Sequence, residues 1–137
     1  MRLIRAVENY MENCTLIIDD RKVFRSAIKD IFLDNGHNVL GVSSGEMALE
    51  RVRHKDIDVL IVKHELPGWS GLKTLKKIKS EFEDLRVICI ADDLDEEIQQ
   101  KYLDQGAEKI VSKMAFFGKT QNFIEKLLFD EKTGHQE

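Results

Sequence analysis

Short apolar runs alternate regularly with segments of helical periodicity along this chain of 137 residues. The apolar runs cover residues 16–18, 39–42, 57–62, 85–90 and 109–112. The run at 57–62 is rich in β-branched residues and is broken only by Asp58, which is typical of a strand buried on both faces. Runs this short favour strands, because helices show longer periodic stretches. We therefore predict five strands from these five runs.

The segments between the runs carry apolar residues at spacings of three and four, which indicates one buried face of a helix. Phe24, Ile28 and Ile31 belong to the first such stripe. Asn35-Gly36 ends it, since glycine suits the left-handed position after a helix. A last helix is predicted from residue 116 to residue 128, and the polar residues after it are predicted to fray.

Two helix starts carry capping signals. Ser43, followed by Glu46 three residues later, has the pattern of a capping box, so we predict that Ser43 caps the second helix. Asp92 or Asp93 is predicted to cap the fourth helix, because a short acidic side chain accepts hydrogen bonds from the first free N–H groups.

Charge and hydropathy exclude several classes of partner. The formal net charge is −4, which gives no general attraction to nucleic acid or to acidic membranes. The lysines at 73, 76, 77 and 79 form a local cluster that we interpret as a solvated helix face. No apolar run approaches the roughly 20 residues that span a bilayer. We expect a cytoplasmic protein with neither nucleic acid nor membrane as its partner.

The two cysteines, Cys14 and Cys89, lie beside apolar runs and belong to no CxxC pair. This placement predicts buried, reduced thiols. Reduced thiols are in turn consistent with a reducing cytoplasmic compartment.

Strands that alternate with helices indicate an α/β fold, a doubly wound parallel sheet with helices on both faces. In such sheets the functional site lies beyond the carboxyl ends of the strands. Those ends carry Asp19 and Asp20 on the first strand, Lys63 on the third, Ala91 on the fourth and Lys113 on the fifth. We predict that these five residues share one pocket.

Three segments in this order resemble the receiver domain of two-component response regulators. They are the paired acids after residues 16–18, the stretch 58–71 with its Pro67-Gly68 turn, and the stretch 106–113. The resemblance implies a CheY-like, flavodoxin-like sheet with strand order 2-1-3-4-5. It places a receiver-like domain at residues 13–130, after an N-terminal extension at 1–12 and before a polar tail at 131–137. It also implies a role in bacterial two-component (phosphorelay) signalling.

The chain departs from the family pattern at four positions. Receivers end the third strand in the aspartate that accepts the phosphoryl group, and Lys63 stands there. They end the fourth strand in Thr or Ser, and Ala91 stands there. Met114 replaces the proline that follows the retained lysine, and Ile110 replaces the aromatic switch residue. The resemblance therefore implies a pseudo-receiver.

The charges of the pocket predict that Mg²⁺ binding is lost. Asp19, Asp20, Lys63 and Lys113 sum to zero without a metal. We expect Lys63 to replace the metal as the counterion of Asp19 and Asp20. The alternative is that its ammonium extends into solvent. No catalytic residue, no enzyme activity, no metal and no cofactor are expected.

Residues around this pocket complete the predicted site. Glu65, Asp92 and Met114 are expected beside it. By family resemblance, partners would bind the face formed by the fourth helix, the fifth strand and the fifth helix, where we name Tyr102, Phe116 and Phe117 as candidate contacts.

The leading functional hypothesis is a phosphorylation-independent module that acts by protein–protein interaction. A homodimer is an open alternative for its partner. Two rival functions are an active phospho-receiver with another acceptor carboxylate, among them Asp19, Asp20, Glu65 and Asp92, and a domain that senses a small molecule or an anion.

Overall fold

The computed structural model describes residues 14–118. Its strands are β1 (Cys14–Ile18), β2 (Asn38–Val42), β3 (Val59–Lys63), β4 (Arg86–Ala91) and β5 (Lys109–Ser112). Its helices are α1 (Lys22–Asp34), α2 (Gly45–His54), α3 (Gly71–Glu81), α4 (Glu96–Asp104) and α5 (Lys113–Gly118). The extension at 1–12, the tail at 131–137 and the predicted helix positions after residue 118 lie outside the described residues.

All strand pairs are parallel, and the sheet has the order β2-β1-β3-β4-β5. The predicted fold class and strand order are therefore confirmed. In the register of the sheet, Ile18 lies beside Val42 of β2 and beside Val62 of β3. This alignment brings the carboxyl ends of the first three strands to the same edge, hereafter the carboxyl edge.

Apolar side chains cover both faces of the sheet. One cluster packs α2, α3 and α4 against one face through residues such as Leu49, Leu75 and Tyr102. The other cluster packs α1 and α5 against the opposite face through Phe32 and Phe116. Because strands buried on both faces need apolar residues at every position, β1 and β3 show no alternation of apolar and polar residues.

The two predicted helix caps were each placed too early. The Ser44 hydroxyl, not that of Ser43, accepts a hydrogen bond from the Met47 N–H at the start of α2. The Asp95 carboxylate, not that of Asp92 or Asp93, accepts from the Ile98 N–H at the start of α4. The loop before α4 is longer than the sequence pattern suggests, because β4 continues to Ala91 and the helix begins only at Glu96.

Each helix within residues 14–118 is too short or too polar to traverse a lipid bilayer. The longest of them, α1, has 13 residues.

Candidate functional site

Lys63 is the last residue of β3 and projects into the carboxyl edge. Its side chain is 7% exposed, and its Nζ atom lies 3.4 Å from Oδ1 of Asp20. The ammonium therefore pairs with a carboxylate in the predicted pocket and does not extend into solvent. Strand β3 holds it there, because the residues before it are buried on both faces of the sheet.

The two acids after β1 have different environments. Asp19 is buried, and its Oδ1 accepts a hydrogen bond of 2.9 Å from the Arg21 N–H. Burial raises the pKa of Asp19, while this hydrogen bond and the charge of Lys63 act in the opposite direction. The side chain of Asp20 is 31% exposed and makes the direct contact with Lys63. Lys63 thus forms an ion pair with Asp20. Its charge acts on the Asp19 carboxyl group from a greater distance, without an ion pair between the two.

Lys113 is the first residue of α5, and its ammonium takes a direction that sequence reasoning did not foresee. Its Nζ atom lies 3.1 Å from the ring centroid of Phe24 on α1, a cation–π contact. The lysine remains close enough to Asp19 for its charge to oppose the rise in the pKa of that carboxyl group.

The space between these side chains is small. The cavity has a volume of about 10 Å³, and its charged lining residues are Asp19, Lys63, Asp92 and Lys113. A volume of this order holds about one water molecule. An organic anion would need the surrounding side chains to move.

Three other predicted site residues occupy distinct positions. Ala91 is fully buried at the end of β4, and Ile110 is buried in β5 as part of the cluster under α4. Met114 is 86% exposed on α5, so its side chain does not line the pocket. The structure thus brings Ala91 to the carboxyl edge and turns Met114 to solvent.

Glu65 does not face the two acids. Both of its carboxylate oxygens lie 3.1 Å from the Asp92 N–H, which donates to them. Asp92 itself is exposed in the loop before α4. These two pocket-adjacent residues therefore connect the loop after β3 to the loop after β4.

Two of the three candidate partner contacts are wrong as direct contacts. Tyr102 is 0% exposed and Phe116 is 2% exposed, so neither ring can touch another protein. Phe117 is half-buried and packs between Phe24 and Phe116, with ring centroids 6.0 and 5.4 Å away. Tyr102 packs in the core cluster on one face of the sheet, and Phe116 and Phe117 pack in the cluster on the other face.

Sequence reasoning missed two hydrogen bonds that involve histidine, one buried and one partly buried. The Nδ1 atom of His64 lies 2.6 Å from the Tyr102 hydroxyl oxygen. The Nε2 atom of His37 lies 2.6 Å from Oγ1 of Thr15. The partners are 38 and 22 residues apart in the chain, so no local pattern could have paired them.

The carboxylates of the pocket do not form a metal cluster within residues 14–118. No group of three or more His, Cys, Asp or Glu side chains in this part of the chain is placed to hold an ion. The Asp20 carboxylate already contacts the Lys63 ammonium.

The comparisons with known proteins agree with this fold. Residues 15–125 match the family described as the response regulator receiver domain. A receiver protein structure from Pseudomonas putida superposes with a TM-score of 0.77 at 24% identity and covers 84% of this chain and 97% of its own. The chemotaxis protein CheY4 of Vibrio cholerae superposes with a TM-score of 0.73 at 20% identity and covers 82% of this chain and 98% of its own.

Two curated relatives share more sequence with this chain. The transcriptional activator protein ExaE of Pseudomonas putida is 33% identical over 103 residues, which cover 73% of this chain and 48% of the relative. The response regulator UvrY of Escherichia coli is 30% identical over 102 residues, which cover 73% and 47%. The chain thus spans about half the length of these relatives. With its parallel sheet, its paired acids and its lysine after β5, the chain belongs to the receiver domain family of two-component response regulators.

Proposed function

We propose that this chain is a pseudo-receiver that signals through protein–protein contacts without being phosphorylated. The observation that supports this most directly is the ion pair between the buried Lys63 ammonium and Asp20, with 3.4 Å between Nζ and Oδ1. The ion pair occupies the position at which, by resemblance, receivers carry their phospho-acceptor. On this proposal the domain is a cytoplasmic binding module without enzyme activity.

The chemistry of Lys63 opposes acyl phosphate formation. Receiver phosphorylation needs a carboxylate oxygen as the nucleophile, and a protonated amine has no free lone pair. Ala91 has no hydroxyl that could donate to a bound phosphoryl group. Ile110 is buried and carries no aromatic ring, so the switch residue expected by resemblance is also missing.

The residues of the pocket do not fit Mg²⁺. A divalent ion about 4 Å from the Lys63 ammonium would be repelled by about 8 kcal/mol at an effective dielectric constant near 20, twice the unit-charge value. Magnesium also prefers several hard oxygen ligands, and no three carboxylates within residues 14–118 are placed to hold an ion. On this proposal, the Lys63 ammonium neutralises the two acids in place of a bound metal ion.

The partner surface that the proposal implies includes α4 and β5. The exposed apolar side chains near it are Leu103 at 41% and Met114 at 86% exposure, whereas Tyr102 and Phe116 support the surface from below. A net charge of −4 favours a protein partner over nucleic acid or an acidic membrane. The partner can also be a second copy of this chain, and a measurement of the molar mass in solution would identify such a dimer.

Intact mass after incubation with a small acyl phosphate and Mg²⁺ tests the proposal. We expect no phosphate adduct on the wild-type protein. A stoichiometric adduct would reject the proposal, and mapping it would name the acceptor carboxylate.

Calorimetric titration with Mg²⁺ tests the role of Lys63. We expect no binding to the wild type and measurable binding to Lys63→Asp, which restores a third carboxylate. Lys63→Met is the control, because it removes the ammonium without adding a ligand, and it should bind more weakly than Lys63→Asp. Saturable binding to the wild type at millimolar Mg²⁺ would contradict the proposed counterion.

A further inference from the structure

The side chain of Tyr102 ties α4 to the interior of the protein. Within α4, whose residues are all described, Tyr102 is the one buried residue, and its exposure is 0%. Burial raises the pKa of its hydroxyl, so the phenol stays neutral and needs hydrogen-bond partners. The buried thiol of Cys89 on β4 lies close enough to this hydroxyl to contribute to the rise of its pKa.

His64 is the hydrogen-bond partner of this hydroxyl. Its Nδ1 atom lies 2.6 Å from the Tyr102 oxygen, and the two rings meet edge to face with centroids 5.3 Å apart and an angle of 79°. His64 directly follows Lys63 in the chain. The contact therefore joins the first residue after β3 to the last turn of α4.

Gly71 leaves the space that this contact requires. A Cβ atom at Gly71, the first residue of α3, would collide with the Tyr102 hydroxyl and with the backbone oxygen of Lys63. The Gly71 N–H also donates to the His64 carbonyl at 2.9 Å. The tyrosine hydroxyl thus sits where β3 ends and α3 begins.

Glu65 makes a second connection to the same region. Its two carboxylate oxygens accept from the Asp92 N–H at 3.1 Å each. Asp92 precedes α4, whereas Tyr102 lies near its end. Two consecutive residues, His64 and Glu65, therefore contact the last turn of α4 and the first residue of the loop between β4 and α4.

We propose that His64 and Glu65 form a two-point clamp, which holds α4 through Tyr102 and the loop before it through Asp92, and which couples the Lys63–Asp20 pair to the α4 surface. The coupling follows from chain connectivity, because Lys63, His64 and Glu65 are consecutive. A shift of the backbone at Lys63 would be transmitted directly to the two clamp residues. The clamp itself is a property of the fold. The use of α4 as a partner surface is the one part of this inference that rests on the proposed function.

Amide hydrogen exchange of the full chain, measured by mass spectrometry on α4 peptides with α2 peptides as the internal reference, tests the clamp. Tyr102→Phe removes the hydroxyl and keeps the ring, and Glu65→Ala removes the second connection. We expect each change to accelerate exchange in α4 about fivefold, which corresponds to the loss of one hydrogen bond of about 1 kcal/mol. The two changes together should accelerate it further.

Thr15→Val is the matched control, because it also removes one buried hydroxyl that contacts a histidine at 2.6 Å. It should accelerate exchange in α4 and α2 equally. If Tyr102→Phe affected α4 no more than this control does, and if Glu65→Ala left α4 unchanged, the clamp would be rejected. Glu65 is only half-buried, so its variant remains informative even if Tyr102→Phe fails to fold.

Lys63→Met tests the coupling in two backgrounds. In the wild type we expect it to change α4 exchange by at least about twofold, and in the Tyr102→Phe/Glu65→Ala background we expect no change. Equal changes in both backgrounds, or none in either, would overturn the coupling. These measurements use no phosphodonor, so their failure is distinct from a phosphate adduct, which would reject the proposed function.

Discussion

Burial acts on Asp19 and His37 so that each favours its neutral form. It raises the pKa of the Asp19 carboxyl group and lowers the pKa of the His37 imidazole. Both residues are 7% exposed. Asp19 belongs to the carboxyl edge, whereas His37 lies just before β2 and contacts Thr15. The two residues therefore make opposite contributions to the dependence of stability on pH.

Asp19→Asn should stabilise the protein at pH 7 by about 1 kcal/mol, within the usual range for single substitutions. The amide keeps an oxygen for the Arg21 N–H and removes a buried negative charge. Because the folded-state pKa of Asp19 is raised, its favourable contribution is present below the ordinary value of 3.8 and is lost as the pH rises through the folded pKa. Urea denaturation at pH 7 and at pH 5 measures the difference. An unchanged or lower stability of the variant at pH 7 would contradict this account.

His37 should make the protein less stable below pH 6.5. Its folded-state pKa is depressed, so the unfolded chain binds the proton first as the pH falls through the ordinary value of 6.5. Between pH 6.5 and 5.5 we expect the wild type to lose more free energy of unfolding than His37→Gln, by at most about 1.4 kcal/mol. Denaturation curves at the two pH values measure this loss. His54→Gln is the control for the loss of a histidine at an exposed position.

At the scale of the element, helix starts and loop contacts determine where α4 lies. Asp95 caps the helix through the Ile98 N–H at 2.8 Å, while His64 contacts its last turn and Glu65 contacts the start of the preceding loop. The acids of the first turn, Glu96 and Glu97, also suit the positive end of the helix dipole. The position of α4 is thus determined jointly by local capping and by contacts from the loop after β3.

Asp95→Ala should reduce the free energy of unfolding by about 1 kcal/mol, the usual effect of losing a cap. Asp93→Ala removes an equal charge from the same loop and should have little effect, because no capping contact involves it at the start of α4. Thermal or urea denaturation of the two variants distinguishes the cap in the structure from the one that the sequence pattern predicts. Equal losses in both variants would contradict the assignment.

At the scale of the whole molecule, the sheet separates two apolar clusters and shields both thiols. Cys14 is 2% exposed and Cys89 is 0% exposed, which confirms the prediction of buried thiols. Burial raises the pKa of both groups, that of Cys89 to about 12. A thiol that is neither accessible nor ionised is a poor nucleophile.

The two cysteines should therefore report on unfolding of the domain. We expect neither thiol of the native protein to react rapidly with an aromatic disulfide reagent at pH 8, and both to react in denaturing urea. The native reaction rate should rise in proportion to the unfolded fraction as urea is added, because unfolding precedes the reaction as a rapid equilibrium. Rapid reaction of one equivalent in the native state would show that one thiol is accessible without unfolding.

Local patterning was enough to predict the alternation of elements, the parallel sheet and the edge at which Asp19, Lys63 and Ala91 meet. A strand that is buried on both faces appears in the sequence as an apolar run, such as residues 57–62. An amphipathic helix appears as apolar residues spaced three or four apart, such as Ile28 and Ile31. The parallel arrangement then brings strand ends together wherever they occur in the chain.

The directions of the side chains depended on contacts between residues far apart in the chain. Lys113 lies over Phe24, Glu65 accepts from Asp92, and Tyr102 points inward to His64. A ring or a charged group at a helical position can face a partner, the solvent or the core, and only the shape and polarity of its neighbours select among these. The carboxyl edge was therefore predictable as the place where these strand ends meet, whereas the Lys63–Asp20 ion pair and the contacts to α4 arose from tertiary packing.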